Sequence, residues 1–96
     1  MNKTNLIIDN KEYKDVYVAE TFFERLKGLM FISKENSFNL LIKNCNSVHT
    51  CFMKFNLDIF CLDKDFKLIK TYKDIKPFKF ILPSKKVKHI LERPSE

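Results

Sequence analysis

The chain has 96 residues, enough for one domain built on a single core. At 45% hydrophobic and 31% charged it has the balance of an ordinary soluble globular protein, and no run approaches the ~20 apolar residues of a transmembrane helix. A net charge of +6 favours solubility and weak attraction to polyanions and says nothing about fold.

The three cysteines, Cys45, Cys51 and Cys61, are odd in number and show no C-x-x-C spacing, so a secreted disulfide scaffold, a zinc knuckle and a thioredoxin-like motif are all disfavoured. A reduced, cytoplasmic chain is expected. Met1 to Asn5 leads only to the short apolar run Leu6–Ile8, so no signal peptide is expected.

Leu6–Ile8, the turn at Asp9-Asn10 and a strand from Tyr13 to Ala19 form a first hairpin, because Asp and Asn tolerate left-handed φ. Thr21-Phe22-Phe23-Glu24 is a capping box for a short helix, Phe22 to Lys27, and Gly28 stands where that helix must stop. Gly28 is the only glycine, so other turns needing positive φ must use Asn, Asp or Lys. Ser33–Ser37 is a polar loop. Strands are expected at Phe38–Ile42, Val48–Met53, Leu57–Leu62, Lys67–Tyr72 and Val87–Glu92. Lys43–Asn46 and Lys54–Asn56 are read as turns, Asp63-Lys64-Asp65 as a hairpin turn, Asp74–Phe80 as a loop around Pro77, and Ile81–Ser84 as irregular. Pro94 ends the order. The fold class is therefore mainly β: a compact antiparallel β-sandwich or barrel-like domain over residues 1–96, with one short helix near Phe22–Lys27.

The segment from Ser47 to Asp63 places polar residues in an apolar run, where they must be paired or form a site. In Leu57–Asp63, Leu57, Ile59 and Cys61 share one face and Asp58, Phe60 and Leu62 the other. Asp58 is expected to anchor donors such as backbone amides, Thr50, Lys54 or His49. If Val48–Met53 and Leu57–Leu62 pair as a hairpin, His49 and Asp58 approach, which is half of a hydrolase-like arrangement. No Ser or Cys nucleophile is marked by its setting. His49, Cys51 and Met53, with Cys45 and Cys61, are soft ligands suited to Cu or Zn, and the same pattern also describes an ordinary core face. His89 is read as a solvated strand histidine.

Lysines recur every third residue from Lys64 to Lys79, which on a strand sends them to alternating faces and describes a solvated surface. Tyr72, Phe78 and Phe80 interleave with them, a pattern too common in a Phe-rich, Lys-rich chain to make nucleic acid the expected partner.

Several motifs occur together in order: Ala19-Glu20-Thr21, Arg25-x-x-Gly28-Leu29-Met30, His49-Thr50-x-Phe52-Met53-x-Phe55-x-Leu57-Asp58, Leu62-Asp63-Lys64-Asp65, Lys76-Pro77-Phe78 and Leu91-Glu92-x-Pro94. From about Val16 to Pro94 the chain resembles the family called domain of unknown function 192. The resemblance implies a small, mainly antiparallel β domain with one short helix, found in bacteria and archaea, and no established activity. It implies motif positions at Arg25, Gly28, Met30, His49, Met53, Asp58 and Glu92. Two departures stand out. Phe66 occupies the place of a glycine after the D-x-D turn, which implies another turn type or strain of about 1–2 kcal/mol. Glu96 stands where the family often has a final glycine, in an E-x-P-x-G ending.

The expectation is a non-enzymatic binding or accessory module, a monomer without a cofactor. Its protein, peptide or small-molecule partner would be met by Arg25, His49, Met53 and Asp58. The alternatives are a hydrolase-like site at His49 and Asp58 and a soft-metal site at His49, Cys51 and Met53.

Overall fold

The structure, a computed structural model, describes residues 2–95. Its elements are β1 (Asn2–Ile8), β2 (Lys11–Ala19), α1 (Phe22–Lys27), β3 (Leu40–Lys43), β4 (Val48–His49), β5 (Leu57–Leu62), β6 (Leu68–Ile75), β7 (Phe80–Ile81) and β8 (His89–Pro94), with a turn of 3-10 helix at Lys34–Asn36. The protein is mainly β with one short α-helix. Six strands make one open sheet in the order β1-β2-β3-β8-β5-β6, and β4 and β7 make a separate two-stranded ribbon.

The sheet is mixed. β2 and β3 run parallel and all other neighbours antiparallel. A parallel pair needs a crossover, and α1 with the 3-10 turn supplies it. The β1–β2 hairpin closes through Asp9 and Asn10, both at positive φ (50° and 66°), as their turn chemistry predicts.

Both sheet faces are covered. On one, Leu40, Ile42, Leu57, Ile59 and Ile90 pack under Leu29, Met53, Phe55, Ile81 and Val87, so the helix exit, the ribbon and their loops roof the sheet. On the other, Ile8, Tyr13, Val16, Val18, Leu41, Phe60, Leu62 and Leu91 pack on one another. Tyr13 of β2 and Phe60 of β5 lie two intervening strands apart, roughly 14 Å at ordinary strand spacing, yet their ring centroids are 5.9 Å apart. The sheet must curl to bring them together, which gives the domain its barrel-like side.

The structure corrects four local expectations. Val48–Met53 is a strand only at Val48–His49, and that strand pairs with Phe80–Ile81 instead of Leu57–Leu62. β5 pairs with β6 and β8. The reason lies in Thr50, whose buried hydroxyl donates to the Lys76 carbonyl at 2.7 Å and accepts from the Lys79 N–H at 2.8 Å. These bonds, with Thr50 N–H on the Lys79 carbonyl, turn the chain at Thr50 and tie it to the Pro77 loop. The order also extends past Pro94: Ser95 is buried and donates its hydroxyl to Asp58. His89 is buried as well, its ring stacked on Phe66 at 4.3 Å. Burial, with the nearby Lys43 charge, pushes its pKa down.

Phe66 does take the left-handed conformation, at φ 63°, so the strained alternative holds. Asp63 Oδ1 accepts from the Asp65 and Lys67 N–H groups, and the His89 stack holds the ring in place. Asp9, Asn10, Asp15, Asn44 and Asp74 supply positive φ, as expected for a chain with one glycine. Phe31, Phe52 and Phe78 join Phe66 in the same region, and no lysine does among the described residues.

Candidate functional site

Alternation along β8 sends Leu91 into the self-packed face of the sheet and Ile90 into the roofed face. Glu92 follows Ile90 onto the roofed face, opposite Leu40 on one side and Ile59 on the other. Its side chain is buried, and Oε1 has no hydrogen-bond partner among the described residues. Burial alone drives its pKa up to about 8, because an ionised carboxylate there would lose its hydration without compensation. Glu92 is therefore a carboxylic acid at neutral pH.

Space for this carboxyl comes from Gly28. A Cβ there would stand 2.9 Å from Glu92 Oε1, and the backbone at φ 50°, ψ −127° is a conformation that glycine alone adopts without strain. The helix stop is consequently also part of the site. The capping box formed as expected: Thr21 Oγ1 accepts from Glu24 N–H at 3.1 Å, and Glu24 Oε1 accepts from Thr21 N–H at 3.0 Å. The Thr21 and Glu20 N–H groups, both donating to this carboxylate, lower the Glu24 pKa.

Glu92 and Gly28 line a cavity of about 490 Å³ between α1, the β4–β7 ribbon and the sheet. Arg25 and Lys27 enter it from α1, His49 from β4, Met53 from the following loop, and Cys45 from the β3–β4 connection. Apart from Ser47 the rest is apolar, with Phe22, Leu26, Phe80 and Leu82 exposed around it. Arg25 Nη1 donates to the Asn44 carbonyl at 3.3 Å, while its Nε is buried without a partner among the described residues. His49 Nδ1 accepts from the Cys51 N–H at 3.2 Å, so the neutral ring carries its proton on Nε2.

The expected site residues thus separate. Arg25, His49 and Met53 meet at the cavity. Asp58 is on the opposite face of the sheet, where Oδ1 accepts from the Asp74 N–H and the Ser95 hydroxyl, both at 2.9 Å, and Lys73 approaches Oδ2 at 3.5 Å. Burial raises its pKa, but these donors and the lysine charge outweigh that and lower it. The hairpin needed to join His49 and Asp58 does not form, so this pair makes no catalytic dyad. Cys51 does not line the cavity, and the early turn at Thr50 takes it off the strand face that it would share with His49 and Met53. No three His, Cys, Asp or Glu side chains converge as metal ligands among the described residues.

Sequence reasoning treated Glu92 only as a motif position. The signal was present: alternation through Ile90-Leu91-Glu92 puts the acid on the same face as an isoleucine, the argument already applied to Asp58.

No curated protein matches the sequence. The fold is similar to that of a protein of unknown function from Novosphingobium aromaticivorans DSM 12444, at TM-score 0.72 and 18% identity over 95% of this chain and 71% of the other. The family DUF192, described as "Uncharacterized ACR", matches residues 5–96, and the chain belongs to that family.

Proposed function

We propose that the protein is a binding module that takes a small ligand, or the end of a larger one, into the cavity lined by Arg25, Gly28, His49, Met53 and Glu92. The observation that carries this reading is the Glu92 carboxyl, buried at the cavity wall with an unpartnered oxygen beside space that glycine keeps open. A buried polar atom without a partner costs roughly 1–3 kcal/mol, and a bound group that meets it recovers that cost. A largely apolar cavity with a few convergent polar groups is the usual form of a small-molecule site. Asp58 is left out: its carboxylate is already satisfied by structural donors. Three free cysteines favour a reducing compartment such as the cytoplasm.

Titration of the 15N-labelled protein with a library of small organic fragments tests the reading. Amide shifts clustering at Gly28, His49, Met53 and Glu92 are expected. Shifts confined to other surfaces, or absent throughout the library, would refute it.

A further inference from the structure

We propose that the cavity selects a small carboxylate with an apolar body, its anionic head received by the Glu92 carboxyl and the Arg25 guanidinium. This rests on the reading of the cavity as a ligand site and names its ligand class. The charged and titratable groups that line the cavity with Glu92 come from two sides, and none of them contributes to its raised pKa, which burial alone sets. α1 brings Arg25 and Lys27, β4 brings His49, and the β3–β4 connection brings Cys45. The Phe80–Pro83 wall and Ile42 of β3 bring none.

Among the described residues Glu92 is the only acid in the lining, and its burial favours the protonated form. The lining then carries the positive charge of half-buried Arg25 and exposed Lys27, and no ionised acid of the described lining residues offsets it. A cationic ligand would sit beside two like charges. A neutral ligand would satisfy Glu92 and leave the cationic groups uncompensated. A carboxylate answers both requirements: it accepts the Glu92 O–H, a hydrogen bond strengthened by the acceptor's charge, and its own charge is met by the Arg25 guanidinium of the same lining. The apolar body fits the remaining lining of Leu29, Ile42, Val48, Met53 and Ile81.

Proton linkage follows. Ionised Glu92 would repel the ligand, so affinity falls as the pH rises through about 8. Octanoate, octanol and octylamine share one apolar body and differ in head charge. Calorimetric titration with each at about pH 7 and about pH 9.5, with amide shifts to locate binding, tests the proposal. Octanoate is expected to shift Gly28, His49 and Glu92 and to bind roughly thirtyfold more weakly at the higher pH. Glu92→Gln, which keeps a donor, should retain binding and lose the pH response. Cys45→Ser should retain both, excluding a thiol as the titrating group. Arg25→Gln should weaken octanoate at either pH.

Octanol binding as tightly as octanoate without a pH response, or a preference for octylamine, would overturn the carboxylate and leave the cavity a ligand site. No cavity shift with any of the three overturns the carboxylate too, and the fragment titration then decides the wider reading separately.

Discussion

Asp58 and Glu92 sit on opposite faces of one sheet, and their surroundings fix opposite states of ionisation. Asp58 collects two hydrogen bonds and a lysine, which favour the charged form. Its pKa is lowered, so its contribution to stability is present above the ordinary value near 3.8 and disappears as the pH falls through the depressed one. Glu92 collects no such donors. Its raised pKa means the reverse: the stability tied to the protonated acid is complete below about 4.5 and is lost as the pH rises to about 8. Replacing Asp58 by alanine leaves the Asp74 N–H and the Ser95 hydroxyl without their acceptor. We expect a loss of about 1–3 kcal/mol in urea denaturation at neutral pH. A change within about 0.5 kcal/mol, as at an ordinary surface position, would remove the structural role assigned to it. At this scale the sequence was half legible. Alternation and burial identified Asp58 as an anchor, but its partners Asp74 and Ser95 come from segments whose approach only the sheet order reveals.

The short helix was the most legible element. Its capping box, length and glycine stop are all local, so no tertiary information was needed to place it. Its contribution to the site depends on what Gly28 faces, and that was not legible, because Glu92 arrives from the other end of the chain. Gly28→Ala should be destabilising on two counts: a backbone closed to alanine and a methyl 2.9 Å from a carboxylate oxygen. The second count predicts coupling. In a double-mutant cycle the loss from Gly28→Ala should shrink by about 0.5 kcal/mol or more when Glu92 is already alanine, as for residues in contact. Strict additivity would mean that the two do not touch. The ribbon shows the opposite case. Val48–Met53 has strand composition, but the Thr50 hydroxyl satisfies backbone groups of the Pro77 loop and ends the strand after His49. Local pattern carries no signal for a tie between residues so far apart in sequence.

At the scale of the whole molecule, strand content and the single helix were readable from patterning, whereas strand order was not. The parallel β2–β3 pair and the central place of β8 are set by how both sheet faces are covered. The resulting architecture divides the molecule by stability. β3, β8 and β5 are interior strands and largely buried, and the β4–β7 ribbon is two residues long in each strand. Native-state hydrogen exchange should therefore show the ribbon opening at lower free energy than β5 and β8. Thr50→Val, which leaves the Lys79 N–H without its side-chain acceptor, should speed exchange at Lys79 and Phe80 while β8 stays protected. Equal acceleration across the sheet would indicate one cooperative unit instead.

The proposed site depends on a neutral carboxylic acid, Glu92, buried at the wall of the cavity. Its most direct test is the titration of the Glu92 side-chain carboxyl carbon followed by 13C NMR in the full chain. A midpoint near 8 is the predicted result. A midpoint in the ordinary carboxylate range of about 4–5 would mean that Glu92 is hydrated or paired, and would contradict both the protonated acid and the site built around it.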